Sequence, residues 1–256
     1  MTQMRSKSNS LPWETDKLAG TVAPLTNVSL CAKAMMRAVD RPSHLPGFVC
    51  FYGPAGWGKS TAAAYTALSQ RAYYIQCGES WVRKKVLQAI LKEMGVEPEK
   101  TIYDMTDQVC EQLALSGRPL IIDEVDHLIN KGIIEIVRDI YEGSGAAILL
   151  IGEETVPKKL ERWERFHSRV LDWIPAQATD LEDCLHLSRL YCREITIAEE
   201  LITEVLKASG GSARRVCVNL ENIQEVAREE GLSAITLQDW GKRKLFTGSA
   251  PVRRVR

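Results

Sequence analysis

Eight consecutive residues carry most of the chemistry this sequence offers: Gly53-Pro54-Ala55-Gly56-Trp57-Gly58-Lys59-Ser60, followed by Thr61. Glycines at this spacing let the backbone wrap an anion with its N–H groups turned inward. The lysine beside them supplies a mobile cation, and the serine hydroxyl is a hard oxygen ligand for Mg²⁺. The pattern G-x-x-x-x-G-K-S/T is met in full. It points to the phosphates of ATP held by residues 53–61 with Mg²⁺, Lys59 reaching the β and γ phosphates and Ser60 the metal. A ligand-free glycine turn is the alternative. The motif requires a strand before it and a helix after it, and Phe48–Tyr52 and Lys59–Gln70 supply both patterns. That helix directs the positive end of its dipole at the same anion.

A second constellation is Leu120-Ile121-Ile122-Asp123-Glu124, an apolar run ending in two adjacent carboxylates. Successive side chains leave a strand in opposite directions, so one carboxylate can face a metal while its neighbour faces the γ-phosphate. Asp123 is assigned to the metal, directly or through water, and Glu124 to the general base that polarises the attacking water. Taken alone, such a pair reads as a solvated strand end; downstream of a phosphate loop it reads as a hydrolytic site. A kinase for a small metabolite is the competing chemistry. It would have to keep water from the γ-phosphate, which a water-polarising glutamate contradicts.

These residues need a scaffold. Helical spacing runs from Asn27 to Asp40, with Thr26 or Asn27 available as an N-cap. Short apolar runs at Phe48–Tyr52, Ala72–Gln76, Leu120–Ile122, Ala147–Ile151 and Val170–Ile174 then alternate with helices at 59–70, 81–94, 106–116 and 132–141. That alternation predicts an α/β fold with a parallel sheet covered on both faces. Past Pro175 the strand signal stops, and 179–192, 198–208, 213–229 and 236–246 read as helices. The expected organisation is a flexible lead at 1–24, a nucleotide-binding core at 25–176, a small helical lid at 177–246 and a basic tail at 247–256.

The 256 residues are 45% hydrophobic and 26% charged, which suits a packed core and excludes general disorder. The 33 basic and 33 acidic residues balance, so any nucleic-acid surface must be local. No apolar run has the length of a membrane span or a signal-peptide core, and the seven cysteines show no C-x-x-C pair; a cytoplasmic, reduced protein with no membrane partner is expected. Cys184, His186 and Cys192 do not match a zinc-ligand spacing.

With both motifs in place, the chain resembles the AAA+ ATPases over about residues 25–246. The resemblance implies a five-stranded parallel sheet of order 5-1-4-3-2 with a small all-α lid. It implies an arginine finger acting on the neighbouring subunit's nucleotide. His167-Ser168-Arg169-Val170 looks like that segment, with Arg169 preferred, Arg165 second and Arg162 competing. Gly210-Gly211-Ser212-Ala213-Arg214-Arg215 looks like the opening of the family's second sensor, which gives Arg214 a role at the γ-phosphate. The family's polar sensor after the fourth strand is replaced by Glu153, a departure from the usual pattern. Within the family, Val22-Ala23-Pro24-Leu25-Thr26-Asn27-Val28 and Leu45-Pro46-Gly47-Phe48-Val49 are similar to the transposition-helper branch, the Mu-like prophage B proteins and their relatives. One departure is expected to matter: the Mu protein of that branch carries an N-terminal DNA-binding domain, where this chain has about 25 residues. The likeness implies a homo-oligomer or helical filament with nucleotide at subunit interfaces, duplex DNA bound without sequence preference, and a transposase as partner. Arg83, Lys84 and Lys85 are the preferred DNA contacts; a solvated helix face is the alternative. The basic tail, with Arg253, Arg254 and Arg256, is assigned equally to the transposase or to no partner. A helicase loader with the same nucleotide chemistry is the alternative function.

Overall fold

The computed structural model describes residues 23–249. Residues 1–22 of the expected 1–24 lead and the tail arginines 253, 254 and 256 lie outside the described residues. The chain runs α1 (Thr26–Val39), β1 (Phe48–Tyr52), α2 (Lys59–Ser69), β2 (Tyr73–Gln76), α3 (Arg83–Met94), α4 (Ile102–Ser116) and β3 (Leu120–Asp123). It continues through α5 (Asp126–Asn130), α6 (Glu135–Ser144), β4 (Ile148–Gly152), α7 (Val156–Leu160), α8 (Glu164–His167) and β5 (Val170–Pro175). The last part comprises α9 (Leu181–Tyr191), β6 (Thr196–Ile197), α10 (Glu199–Ser209), α11 (Ala213–Glu229), β7 (Ala234–Ile235) and α12 (Leu237–Trp240).

Five strands form one parallel sheet in the order β2-β3-β4-β1-β5, which is the expected 5-1-4-3-2 read from the other edge. Alternation along each strand sorts the core into two layers. Val49, Phe51, Ile121, Leu149 and Ile151 pack toward α1 and α2, in an apolar cluster that continues into α9, α10 and α11. Phe48, Cys50, Ile75, Leu120, Ile122 and Leu150 pack on the other face against α3, α4, α5 and α6. Strands buried on both faces read as apolar runs, as β1 and β4 do and as β3 does up to its terminal Asp123.

Several local expectations need correction. Helix α4 starts at Ile102 rather than Thr106, because the Asp104 N–H donates to the Thr101 hydroxyl and caps an earlier turn. The last helix stops at Trp240, where Gly241 takes φ 62°, and the chain to 249 is irregular. Helices α5, α7 and α8 span at most five residues and show no readable periodicity. The region after Pro175 also holds a two-residue parallel pairing, Thr196–Ile197 with Ala234–Ile235, alongside its helices. Neither Thr26 nor Asn27 caps α1: Leu25 occupies the cap position, and the Thr26 N–H donates to Asp183 Oδ1 on α9 at 2.8 Å.

Candidate active site

The carboxyl ends of β1, β3 and β4 open on one edge of the sheet, where ligands of open parallel sheets bind. The loop after β1 turns through Gly56 and Gly58, at φ 81° and 79°. That backbone region is strained for residues with a Cβ, so the glycines permit the curl. A Cβ on Gly56 would also lie 2.8 Å from Ser212 Oγ, which presses on the loop from the start of α11. Lys59 Nζ lies across the loop and donates to the Gly53 and Pro54 carbonyls at 2.7 and 2.9 Å.

A cavity of about 370 Å³ lies over this loop. It is lined by Ala55, Gly56, Gly58, Lys59, Ser60 and Thr61, with Asp123 and Glu124 from the end of β3 and Gly152 and Glu153 from the end of β4. Its apolar lining comes from Ala23 and Leu25 ahead of α1, from Leu187, Leu190 and Tyr191 on α9, and from Ala213 and Cys217 on α11. Arg214, in the first turn of α11, also lines it. Separate chain segments thus place Lys59, Ser60, Asp123, Glu124 and Arg214 around one volume.

The two carboxylates differ sharply. Asp123 is 2% exposed and faces α2, as alternation with Ile121 requires. Its Oδ1 accepts the Glu124 N–H at 2.8 Å and its Oδ2 accepts the Tyr74 hydroxyl at 3.0 Å. Glu124 leaves the strand through φ 56°, the left-handed region that a residue with a Cβ seldom adopts. This turn frees its carboxyl from the sheet's alternation. Burial and, secondarily, the Asp123 charge push the Glu124 carboxyl above the ordinary carboxylate range. Burial also lowers Lys59 from its ordinary value, while the charges of Asp123 and Glu124 oppose that shift.

Three further side chains brace the site and escape sequence reasoning. Asn27 is buried; its amide donates to the Trp57 and Gln177 carbonyls and its oxygen accepts the Gln177 N–H, each at 2.8 Å. It ties the phosphate loop to the segment joining β5 to α9. Asp126 accepts the Glu153 N–H on Oδ2 and Lys159 Nζ on Oδ1, both at 2.7 Å, and so anchors the end of β4. The third is Tyr74. Only the Thr101-x-x-Asp104 type of local pattern is visible in a sequence; these partners are distant in the chain.

Other expected residues stand apart from the cavity. Trp57 does not line it; the indole packs beside Gly211 and the apolar cluster of α1 and α2. Arg169 does not line it either. Its Nε pairs with Glu142 and its Nη1 donates to the Arg165 carbonyl, while Arg165 and Arg162 are exposed. Arg83, Lys84 and Lys85 are exposed in the first turn of α3. Lys84 Nζ donates to the Lys100 carbonyl at 2.9 Å, and Lys85 Nζ sits 5.8 Å from the centre of the Trp81 ring. No acidic residue in that turn offsets three cations at the positive end of the helix dipole, an arrangement that costs stability unless an anion binds there. Among the described residues, no helix is long and apolar enough to cross a membrane.

The geometry agrees with comparisons to known proteins. Residues 43–160 match the family model of the AAA domain. The Aeropyrum pernix ORC2 protein in its ADP form superposes with a TM-score of 0.63 at 16% identity, over 82% of this chain and 64% of that one. The Aeropyrum pernix ORC1 protein in complex with DNA gives 0.61 at 15% identity, over 89% and 66%. A mutant form of Thermotoga maritima RuvB gives 0.57 at 19% identity, over 83% and 65%. This chain therefore spans under two thirds of each of those proteins, and at these identities the likeness is one of fold. A search of curated protein sequences gives no match. Residues 43–160 are thus similar to the AAA domain, and the α/β fold of the chain is shared with ORC and RuvB proteins.

Proposed function

We propose that this protein binds ATP with Mg²⁺ in the cavity over residues 53–61 and hydrolyses it to ADP and phosphate, as an oligomer on duplex DNA. The convergence of Lys59, Ser60, Asp123, Glu124 and Arg214 on one cavity carries this reading. The polar lining from the loop and the strand ends suits a triphosphate, and the apolar lining from α9 and α11 suits a purine ring. The Ser60 hydroxyl and the buried Asp123 carboxylate are hard oxygen donors, the set Mg²⁺ requires. Mg²⁺ held there would neutralise phosphate charge. Lys59 and Arg214 supply positive charge where the γ-phosphate oxygens gain negative charge. Glu124 takes a proton from water as its oxygen attacks the γ-phosphorus; the bond to the β-bridging oxygen breaks, and ADP leaves with that electron pair. The raised proton affinity of Glu124 makes it a stronger base.

Arg169 is proposed to act on the neighbouring subunit's nucleotide. Its partner Glu142 lies on the exposed surface, where an ion pair contributes at most about 1 kcal/mol and is easily exchanged. Arg83, Lys84 and Lys85 are proposed to contact DNA phosphates. The sequence resemblance supports delivery of that DNA to a transposase. A replicative helicase as client is the second reading, and the fold likeness to ORC proteins is the observation on its side.

ATP hydrolysis per subunit is expected to rise with protein concentration and again with duplex DNA. Electron microscopy with duplex DNA is expected to show nucleotide-dependent assemblies when a non-hydrolysable ATP analogue is present. Turnover per subunit independent of both concentration and DNA contradicts the oligomeric part of the proposal. Recovery of a replicative helicase rather than a transposase in a pull-down selects the second reading.

A further inference from the structure

Asp123 is gripped from two sides. One grip is local, from the N–H of its neighbour Glu124. The other comes from Tyr74 on β2, a strand with no residue in the cavity lining, across a separation of 49 residues. In the β2–β3 register Tyr74 stands opposite Ile121, two residues before Asp123. With a side-chain period of two, Tyr74, Ile121 and Asp123 share the face turned to α1 and α2. The phenol can therefore reach forward along the sheet surface to the carboxylate. A carboxylate oxygen accepts about two hydrogen bonds, so each oxygen of Asp123 keeps capacity for a ligand after these two contacts.

We propose that Tyr74 is a positioning residue for metal binding: its hydroxyl, 3.0 Å from Asp123 Oδ2, fixes the plane in which this carboxylate is presented to the Mg²⁺ of the bound nucleotide. The inference rests on the proposed assignment of Asp123 to the metal. Partners that orient a metal ligand typically change metal affinity by about 10- to 100-fold when removed. Replacing Tyr by Phe removes one hydroxyl and leaves the ring packed.

The test uses the full chain loaded with ADP. Mn²⁺ binding, read by the loss of the free-ion signal in electron paramagnetic resonance, is compared between the parent and Tyr74→Phe. ADP affinity in EDTA and thermal unfolding are measured beside it. The Mn²⁺ dissociation constant is expected to rise about tenfold, at the low end of that range, while ADP affinity in EDTA changes less than about twofold. In an Asp123→Asn background, where the charged ligand is already gone, the Tyr74→Phe effect on Mn²⁺ is expected to vanish. Unchanged Mn²⁺ affinity in Tyr74→Phe overturns the proposal. A parallel loss of metal-free ADP affinity and melting temperature, or an equal Mn²⁺ effect in the Asp123→Asn background, also overturns it and assigns Tyr74 to packing. If the parent shows no metal-dependent ADP binding, the assignment of Asp123 fails and takes this role with it; normal binding in the parent confines any failure to Tyr74.

Discussion

Glu124 is where stability and the proposed chemistry pull apart, and two substitutions separate them. A residue with a Cβ at φ 56° carries a backbone penalty of about 1–2 kcal/mol that glycine does not. Glycine instead loses about 0.5–1 kcal/mol through the entropy of the unfolded chain. The balance leaves Glu124→Gly about 0–1.5 kcal/mol more stable than the backbone-retaining Glu124→Gln. Asp123 keeps its local hydrogen bond in both, since that donor is the backbone N–H of position 124. The charge contributes as well. The folded protein holds the Glu124 proton more tightly than the unfolded chain does. That preference stabilises the fold fully below the unfolded pKa and is lost as pH rises through the folded one, so at neutral pH the ionised carboxylate is a burden on the fold. Glu124→Gln removes the burden and is expected to melt no lower than the parent. Both variants should bind ATP, and both should hydrolyse it about 10²–10⁴-fold more slowly, the usual contribution of a positioned general base. Differential scanning calorimetry and a phosphate-release assay read the two effects. At roughly 2–4 °C per kcal/mol for a chain of this size, the glycine variant should melt up to about 6 °C above the glutamine one. A glycine variant melting well below the glutamine one refutes the strain argument. Undiminished phosphate release by Glu124→Gln refutes the base assignment.

The remaining expectations concern separate parts of the site. Asp126→Ala strands Lys159 Nζ and the Glu153 N–H, and removing one partner of a largely buried ion pair costs about 3 kcal/mol, read as a fall of roughly 6–12 °C in melting temperature; Asp126→Asn, which retains an acceptor, should lose less. Cys217 lines the cavity one turn beyond Arg214, so ATP should slow its alkylation by a thiol reagent, monitored by peptide mass spectrometry, and equal rates with and without ATP would place the nucleotide elsewhere. Hydrolysis should fall on the acid side through a pKa above the ordinary carboxylate range of about 4.3, because the base must be ionised and its proton affinity is raised. Replacing Arg83, Lys84 and Lys85 together by alanine should flatten the log–log salt dependence of duplex-DNA affinity by about 2.7, at roughly 0.9 per phosphate contact, and an unchanged slope would remove these residues from the interface.

The legible parts of this molecule were those with a local signature. The phosphate loop announces its own conformation, because Gly56 and Gly58 stand where the backbone enters the left-handed region. Strands buried on both faces read as apolar runs, and their alternation with helices gave the sheet; the strand order came from the AAA+ resemblance. Helices α5, α7 and α8 were illegible because one turn holds too few residues for a period to show. Asn27 looked like a helix cap by type, yet it is a buried tie between Trp57 and Gln177, a role fixed by partners 30 and 150 residues away. Tyr74 and Asp126 are illegible for the same reason: a hydrogen bond between strands or loops leaves no mark on either stretch of sequence alone. Arg169 is expected from the resemblance alone, and the structure places it on Glu142, outside the cavity lining.

All of this depends on a triphosphate lying against residues 53–61. Titration calorimetry of the parent and Lys59→Ala with Mg²⁺ and a non-hydrolysable ATP analogue addresses it directly. Binding to the parent at one site per chain, with the heat lost or the affinity reduced at least about tenfold in Lys59→Ala, is the predicted result; equal affinity in the two proteins would contradict it.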